Sequence, residues 1–363
     1  MEVNRFEPAM AVRTHATPGW RLALAAFAGI LALGSMSRAA SAGQLVVYST
    51  IDPEEVQPYK AAFEAVNPGI TLDIVRSSAG TMTARILAEK DNPRHDAMFR
   101  IANTSLIVFG KEGMLYPYEP KGMGRIHPEF RDKVNKPALW TGSNAYTNVI
   151  CFNVPESKKL GLPQPQSWQD LIKPIYKGHI VAPNPQASGT GFINMTAWIF
   201  LWGEDKAFEY MDKLHENVKF YMNSGSAPCV KAASGEVPIA LSWDFRAAKL
   251  IGQGAPMEIV MPPEGLGWDL EGSSIMKAAE TRGRLEDAKK LMDWMISPEA
   301  MKLHNQSFAI IGTPETAVAV PHHPGAKMDM MKMAVKYDFV WNAENRNRLI
   351  AKWTARYEGK VQK

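Results

Sequence analysis

Cysteine and net charge are both scarce in this sequence, and each shortage excludes a class of protein. Two cysteines among 363 residues rule out a small domain stabilised by many disulfides. The 41 Lys and Arg against 37 Asp and Glu leave a net charge of +4, too weak to indicate nucleic-acid binding. With 46% hydrophobic and 21% charged residues, the composition is typical of a folded globular protein. A chain of this length exceeds what one hydrophobic core usually supports, so it predicts two lobes.

The sequence also lacks the motifs of several enzyme classes. Neither of its two Gly/Ser-rich turns continues into a nucleotide-hydrolysing Gly-Lys-Ser/Thr or has the dinucleotide-binding Gly-x-Gly-x-x-Gly pattern. The residues around Ser188 read Gln-Ala-Ser-Gly-Thr, which is not the nucleophile turn of a hydrolase. No His-x-x-x-His or Cys-x-x-Cys spacing is present, and the adjacent His322 and His323 would point to opposite sides of a strand. We therefore predict a protein that is not an enzyme and uses no metal or cofactor; an exported phosphoester hydrolase is the alternative.

The first 42 residues have the organisation of a secretory signal peptide. Arg5, Arg13 and Arg21 provide positive charge ahead of or next to the 12-residue apolar run 22–33. That run is shorter than the roughly 20 residues of a membrane-spanning helix. Residues 40–42 are Ala-Ser-Ala, the small residues that a signal peptidase needs. We expect cleavage at the end of this signal peptide, 1–42, and a soluble periplasmic protein; a buried or membrane-anchoring helix is the alternative.

Export gives the two cysteines a role. An oxidising compartment permits a disulfide between Cys151 and Cys229, and this is the pairing that we predict. Two unpaired buried thiols are the alternative interpretation.

The mature sequence begins with a β-α-β-α-β pattern. Apolar or alternating stretches at 45–50, 70–75 and 96–101 indicate strands, and segments 54–66 and 82–90 between them have helical spacing. This rhythm is typical of a mostly parallel sheet covered by helices.

Two later apolar segments, 146–153 and 270–277, are the expected crossovers between two α/β lobes. They divide the chain into a first lobe of about 44–147 plus 275–363 and a second lobe of about 148–274. The predicted fold class is therefore α/β, with two lobes, two mostly parallel sheets and a ligand cleft between the lobes.

Two turns between a strand and a helix carry the strongest chemical signal. The first, Ser77-Ser-Ala-Gly-Thr81, and the second, Asn184-Pro-Gln-Ala-Ser-Gly-Thr-Gly191, combine glycines with hydroxyl side chains ahead of a helix. Backbone N–H groups, hydroxyl donors and the positive end of a helix dipole suit a phosphate, phosphonate or carboxylate group. A plain glycine-rich turn with a Ser cap is the alternative, but two such turns facing each other across a cleft favour an anion site.

An ordered series of short motifs in the mature chain carries a resemblance to a known family. The series is Ile150-Cys-Phe-Asn153, Ser167-Trp-Gln-Asp-Leu171, Pro183-Asn-Pro185 with Ser188-Gly-Thr-Gly191, Ser224-Gly-Ser226 with Pro228-Cys229, and Gly254-Ala-Pro256 with Gly265-Leu-Gly-Trp268. It resembles the 2-aminoethylphosphonate-binding proteins of ABC importers, a branch of the ferric-iron-type periplasmic binding proteins with a two-lobed, type II fold. The resemblance extends over nearly all of the mature chain and is most specific over 150–268.

The resemblance implies a monomeric substrate-binding protein that captures a small ligand between its lobes and delivers it to an ABC permease in the inner membrane. In the wider family the Ser-Gly pair at the start of the second-lobe helix holds a phosphate or similar anion, and Ser188, Gly189 and Thr190 match that motif here. The full set of expected ligand-binding residues is Ser49, Thr50, Ser78, Gly80, Thr81, Ser188, Gly189, Thr190, Gly191, Ser224, Trp243, Asp244 and Glu271.

The resemblance also suggests how a cationic group would be held. Iron-binding members have two adjacent tyrosines on the strand end after a Gly-Glu-Val/Ile turn; here that turn leads to Ser242-Trp-Asp-Phe-Arg246 without a Tyr pair, so a ferric site is disfavoured. An aminoalkylphosphonate carries an ammonium group, and we hypothesise that Asp244 pairs with it. Glu271, or Asp269 on the same strand face, is the alternative partner, and an ion pair with Arg246 is the structural alternative for Asp244. A carrier of another small anion or of a ferric complex is the alternative function.

Overall fold

The computed structural model describes residues 43–326 and 329–362, so the predicted signal peptide lies outside the described residues. Within these ranges the chain forms eleven strands and twelve α-helices. The strands are β1 (Gly43–Ser49), β2 (Ile70–Arg76), β3 (Ala97–Ala102), β4 (Leu115–Tyr116), β5 (Thr141–Asn153), β6 (Ile180–Pro183), β7 (Val218–Met222), β8 (Ile239–Trp243), β9 (Met257–Val260), β10 (Trp268–Met276) and β11 (Ile310–Ile311). The helices are α1 (Val56–Val66), α2 (Ala79–Ala88), α3 (Asn103–Lys111), α4 (Val154–Lys159), α5 (Gly189–Trp202), α6 (Glu204–Asn217), α7 (Ala227–Ala233), α8 (Asp244–Gly252), α9 (Ala278–Thr281), α10 (Leu285–Met295), α11 (Pro298–Ser307) and α12 (Phe339–Tyr357). None of these helices combines the length and the apolar character needed to cross a bilayer.

The predicted β-α-β-α-β rhythm at the start of the mature chain is confirmed. β1 pairs in parallel with both β2 and β3, and α1 and α2 connect these strands. Leu45 and Val47 are fully buried because alternate side chains of a strand share one face. After α1 the chain turns at Gly69, whose φ of +93° lies in a region that residues with a Cβ rarely adopt.

The sheet is mixed, which differs from the predicted mostly parallel arrangement. β1 with β2 and β3, and β6 with β7 and β8, are the parallel pairs. β10 runs antiparallel to β3 and β5, and β5 runs antiparallel to β8 and β9. The antiparallel pairs arise because β5 carries the chain out of one part of the molecule and β10 returns to it in the opposite direction.

β5 changes its partners half-way along its length. Thr147 lies opposite Trp268 of β10, whereas the next residue, Asn148, lies opposite Trp243 of β8. The hydrophobic residues divide accordingly: one core surrounds β1, β3 and α10, and another surrounds α5 and α6. We call the parts of the chain around these two cores the first lobe and the second lobe.

The C-terminal helix differs from the predicted assignment of 275–363 to the first lobe. Helices α10 and α11 do pack in the first-lobe core. In α12, however, Trp353 and Tyr357 belong to the second-lobe core, and Arg348 forms a salt bridge with Glu204 of α6 at 2.9 Å. The chain therefore crosses back to the second lobe before it ends.

The predicted disulfide between Cys151 and Cys229 is present and ties β5 to α7 within the second lobe. Both cysteines are fully buried, and the bridge closes a chain segment of 78 residues. Cross-linking a segment of this length restricts the unfolded chain strongly, so the bridge stabilises the second lobe.

Removing this bridge should lower the free energy of unfolding by about 2–4 kcal/mol. The Cys151→Ala/Cys229→Ala variant, unfolded in urea beside the wild type, measures the loss. Dithiothreitol should produce a similar shift in the wild type and none in the variant. Equal stability of oxidised wild type and variant would contradict a structural role for the bridge.

Candidate ligand-binding site

A cavity of about 70 Å³ between the two lobes brings eight of the predicted ligand-binding residues together. The first lobe contributes Thr50, Asp52, Arg76, Ser78 and Ala79; the second lobe contributes Ser188, Gly189, Thr190, Ser224, Gly225, Ser226 and Trp243; and the crossover strands contribute Tyr146 and Glu271. A larger cavity of about 650 Å³ lies beside α3 and is mainly apolar, but it contains none of the predicted site residues. The small polar cavity is therefore the candidate site.

Helix starts and hydroxyl groups form one end of the cavity. α2 begins after Ser78 and α5 begins after Ser188, so the positive ends of two helix dipoles point towards the same space. The Ser188 Oγ accepts a hydrogen bond from the Gly191 N–H at 3.2 Å, which leaves its hydroxyl proton free to donate to a ligand. These groups can bind the oxygens of a phosphate or phosphonate.

The loop before α7 adds further hydroxyls to this end and needs a glycine to do so. Ser224 Oγ accepts hydrogen bonds from the backbone N–H groups of Ser226 and Ala227, at 3.3 and 3.2 Å. A Cβ on Gly225 would lie 2.5 Å from Thr190 Oγ1 and 2.9 Å from Ser188 Oγ. Only glycine lets this loop approach the two hydroxyls so closely.

Arg76 is a cation at the cavity that sequence reasoning missed. Its Nε donates to the Ile51 carbonyl at 2.9 Å, which fixes the guanidinium beside the first-lobe wall. Among the described residues it forms no salt bridge. Its position at the end of β2, directly before the Ser77–Thr81 turn, is the feature of the sequence that could have indicated this role. A guanidinium that lines the same cavity as the hydroxyls reinforces their preference for an anion.

Glu271 also lines the cavity, and it belongs to a buried ionic cluster behind the cavity wall. The Arg100 guanidinium lies 2.7 Å from Glu55 and 2.7 Å from Glu271, and all three side chains are buried. Asn144 donates to Oε2 of Glu271 at 2.8 Å, while Oε1 has no hydrogen-bond partner among the described residues. Burial raises the pKa of Glu271, although the Arg100 charge opposes that effect. The unpaired Oε1 of Glu271 can accept a hydrogen bond from a cationic ligand group.

Two aromatic rings also line the cavity. Tyr146 and Trp243 pack edge to face, with ring centroids 5.8 Å apart. Burial raises the pKa of Tyr146, so its hydroxyl stays neutral. The rings offer an apolar wall for a short carbon chain and a surface on which a cation can rest.

Four predicted residues, Ser49, Gly80, Thr81 and Gly191, are not among the residues that line the cavity, and each bonds to a neighbouring group instead. Ser49 is fully buried and donates to the Phe99 carbonyl at 2.6 Å, and Thr81 Oγ1 accepts from Ser78 Oγ at 3.1 Å. Gly191 lies in the first turn of α5 and donates its N–H to the capping Ser188 Oγ, as described above. The fourth, Gly80, donates its backbone N–H to the Ala187 carbonyl at 2.9 Å, a hydrogen bond that joins the first lobe to the second.

Asp244 does not lie where the hypothesis for the ammonium partner needs it. It is 2% exposed and is absent from the cavity walls. Its Oδ2 accepts from the Thr147 N–H and hydroxyl at 3.1 and 3.0 Å and lies 3.4 Å from His323. The chain turns from β8 into α8 at this residue, so the side chain faces β5 instead of the cleft. Arg246, its expected structural partner, binds Asp52 and Glu54 instead.

Asp269, the other alternative partner, is also directed away from the cavity. Its Oδ2 accepts from the Thr104 N–H and hydroxyl at the start of α3. Burial raises the pKa of Asp269 to about 7. Of the three acidic residues considered from the sequence, only Glu271 lines the cavity.

Comparison with known proteins matches residues 103–337 to the family described as "Bacterial extracellular solute-binding protein". The periplasmic binding protein AfuA from Actinobacillus pleuropneumoniae, solved with exogenous fructose-6-phosphate bound, is 32% identical with a TM-score of 0.80, over 87% of this chain and 99% of AfuA. The periplasmic binding protein P5PA is 31% identical with a TM-score of 0.78, over the same shares of the two chains. The probable ABC transporter periplasmic-binding protein y4fP of Sinorhizobium fredii is 24% identical over 78% of this chain and 77% of its own.

Proposed function

The chain belongs to the bacterial extracellular solute-binding proteins, the binding subunits of ABC importers, and from this premise we propose that its ligand is 2-aminoethylphosphonate or a close aminoalkylphosphonate. Proteins of this kind bind and deliver their ligand without converting it. The ligand would be captured in the periplasm and passed to a permease in the inner membrane.

The observation that carries the proposal is that groups suited to an anion and a carboxylate line the same cavity. In this proposal Ser188, Thr190, Ser224 and Arg76 form the anion end and Glu271 forms the cation end. The other lining carboxylate, Asp52, is already engaged by Arg246. A zwitterion with a phosphonate and an ammonium group matches both ends at once. Phosphate or sulfate would use only the first end and would leave Oε1 of Glu271 without a partner.

The size of the cavity supports a small ligand. About 70 Å³ is far below the roughly 300–1,000 Å³ typical of drug-sized ligand pockets. Tyr146 and Trp243 line the same cavity and offer an apolar surface for a short carbon chain.

A phosphate monoester is the second candidate, because AfuA was solved with fructose-6-phosphate and its chain is covered almost completely. Its phosphate would occupy the same hydroxyl-lined end, while its sugar hydroxyls would meet Glu271. A ferric complex has less support: within the described residues no group of three or more His, Cys, Asp or Glu side chains is placed to hold a metal ion.

Calorimetric titration with a panel of ligands tests the proposal. The panel contains 2-aminoethylphosphonate, ethylphosphonate, fructose 6-phosphate, inorganic phosphate and ferric citrate. We expect 2-aminoethylphosphonate to bind most tightly, with ethylphosphonate weaker because it lacks the amine. If fructose 6-phosphate binds more tightly, the ligand is a phosphate monoester instead of a phosphonate, and the role in transport is unaffected.

Removing the Thr190 hydroxyl should weaken every phosphonate in the panel. Hydrogen bonds to a charged group contribute about 1.5–3 kcal/mol, so Thr190→Ala should cost about 10- to 150-fold in affinity. Ser188→Ala should act in the same direction, although it also removes the cap of α5. Thr71→Ala, an exposed threonine on β2, is the matched control. Unchanged affinity in both Ser188 and Thr190 variants would place the anion elsewhere.

A further inference from the structure

A second set of contacts joins the lobes outside the ligand cavity. Asp52 and Glu54 lie in the first lobe, between β1 and α1. Arg246 and Lys249 lie on α8, which packs against α7, β8 and β9 of the second lobe, while its Phe245 reaches the first-lobe core. Arg246 forms salt bridges with both Asp52 and Glu54, the latter at 2.8 Å, and Lys249 bonds to Glu54 at 2.8 Å. All of these ion pairs cross from one lobe to the other, so separating the lobes breaks them.

The side chains of these ion pairs are largely or partly buried, so the pairs differ from fully exposed surface salt bridges. The side chains of Asp52 and Arg246 are each only 8% exposed, and those of Glu54 and Lys249 are 39% and 26% exposed. Partial burial opposes ionisation of Glu54, yet the hydrogen bonds and charges of Lys249 and Arg246 lower its pKa to about 2. Burying an ion pair costs desolvation, which is offset only while both partners are in place.

The cluster also touches the ligand cavity at one point. Asp52 lines the cavity and accepts a hydrogen bond from Ser226 Oγ at 3.3 Å. Ser226 belongs to the loop that supplies hydroxyls to the anion end. Glu54, Arg246 and Lys249 do not line the cavity.

We propose that Asp52, Glu54, Arg246 and Lys249 form an electrostatic latch that sets how much of the ligand-free protein is closed. A ligand that binds only the closed form has an apparent affinity proportional to the closed fraction. Glu54 and Lys249, which do not line the cavity, are the positioning residues through which the latch tunes affinity for any ligand. Because the more exposed part of the latch is screened by salt, closure should weaken as ionic strength rises.

Small-angle scattering of the ligand-free protein tests the latch without any assumption about the ligand. At about 20 mM salt the wild type should be compact, and at about 0.5 M salt it should expand. Glu54→Gln should be expanded at both salt concentrations. The matched control is Glu64→Gln, since Glu64 bonds to Lys60 and the Leu72 N–H within the first lobe, and this variant should behave like the wild type. Identical low-salt curves for Glu54→Gln and the wild type would overturn the proposal.

Charge exchange and kinetics supply the second test. The variant Glu54→Lys should expand the ligand-free protein, and Glu54→Lys/Lys249→Glu should restore compaction in part by re-forming a pair. Stopped-flow measurements with 2-aminoethylphosphonate and with fructose 6-phosphate give the dissociation rate of the ligand that binds. We expect this rate to be about two- to tenfold higher for Glu54→Gln than for the wild type. Failure of the exchange variant to recover any compaction would contradict an electrostatic latch. The scattering result stands by itself if neither compound is the ligand.

Discussion

Glu271→Gln should weaken 2-aminoethylphosphonate by about 10- to 150-fold while changing ethylphosphonate by less than about threefold. The carboxylate is expected to receive the ammonium group, and a charge-assisted hydrogen bond contributes roughly 1.5–3 kcal/mol. Its Oε2 is already engaged by Arg100 and Asn144, so Oε1 is the atom that remains for the ligand. Paired calorimetric titrations of the two compounds measure the difference, which cancels any general effect on folding or closure.

A matched variant separates this role from that of a buried carboxylate in general. Asp244→Asn changes an acidic residue that is equally buried but faces Thr147 and His323 instead of the cavity. It should affect both compounds to the same extent. The opposite result would be that Asp244→Asn weakens 2-aminoethylphosphonate more than ethylphosphonate, whereas Glu271→Gln weakens both equally. That result would make Asp244 the partner of the amine, as the sequence suggested.

Gly80→Ala should reduce the affinity for every ligand by about 5- to 150-fold and leave the fold intact. A Cβ at this position would lie 2.1 Å from the Gln186 carbonyl oxygen and 2.8 Å from the Ala187 carbonyl carbon, both backbone atoms of the opposite lobe. Overpacking of this kind costs about 1–3 kcal/mol, and the cost arises only when the lobes meet. Alanine is favourable near the start of α2, so the stability of the open protein should not fall.

Urea unfolding and titration together check this prediction. Gly124→Ala is the control, because a Cβ there meets no other atom within 4 Å and the residue has no positive φ. The Gly80 variant should unfold at the same or higher urea concentration than the wild type yet bind more weakly. Unchanged affinity would mean that the ligand is held without the close approach of Gly80 to Ala187.

The parts of the site that could be predicted from the sequence are those built from neighbouring residues. Ser188, Gly189 and Thr190 follow a strand and begin a helix, so the cap, the dipole and the hydroxyls are all visible in one short stretch. The same holds for Ser78 at the start of α2. Local chemistry of this kind does not depend on how the lobes are arranged.

The parts that could not be predicted depend on contacts between distant residues. Asp244 follows the last residue of β8, and at a strand end one residue of difference decides which way a side chain faces. Arg76 and Asp52 reach the cavity only because the first lobe folds over the second, and neither belongs to a recognisable motif. The position of α12 likewise depends on distant contacts, because Trp353 and Tyr357 pack in a core most of whose other residues lie more than a hundred positions earlier in the chain.

A crystal structure of the protein with 2-aminoethylphosphonate tests the central claim most directly. We expect the phosphonate oxygens to lie within hydrogen-bond distance of Ser188, Thr190 and the Arg76 guanidinium, with the ammonium nitrogen against Oε1 of Glu271. A ligand bound with its amine among the hydroxyls, or with no carboxylate near its nitrogen, would contradict the two-ended cavity.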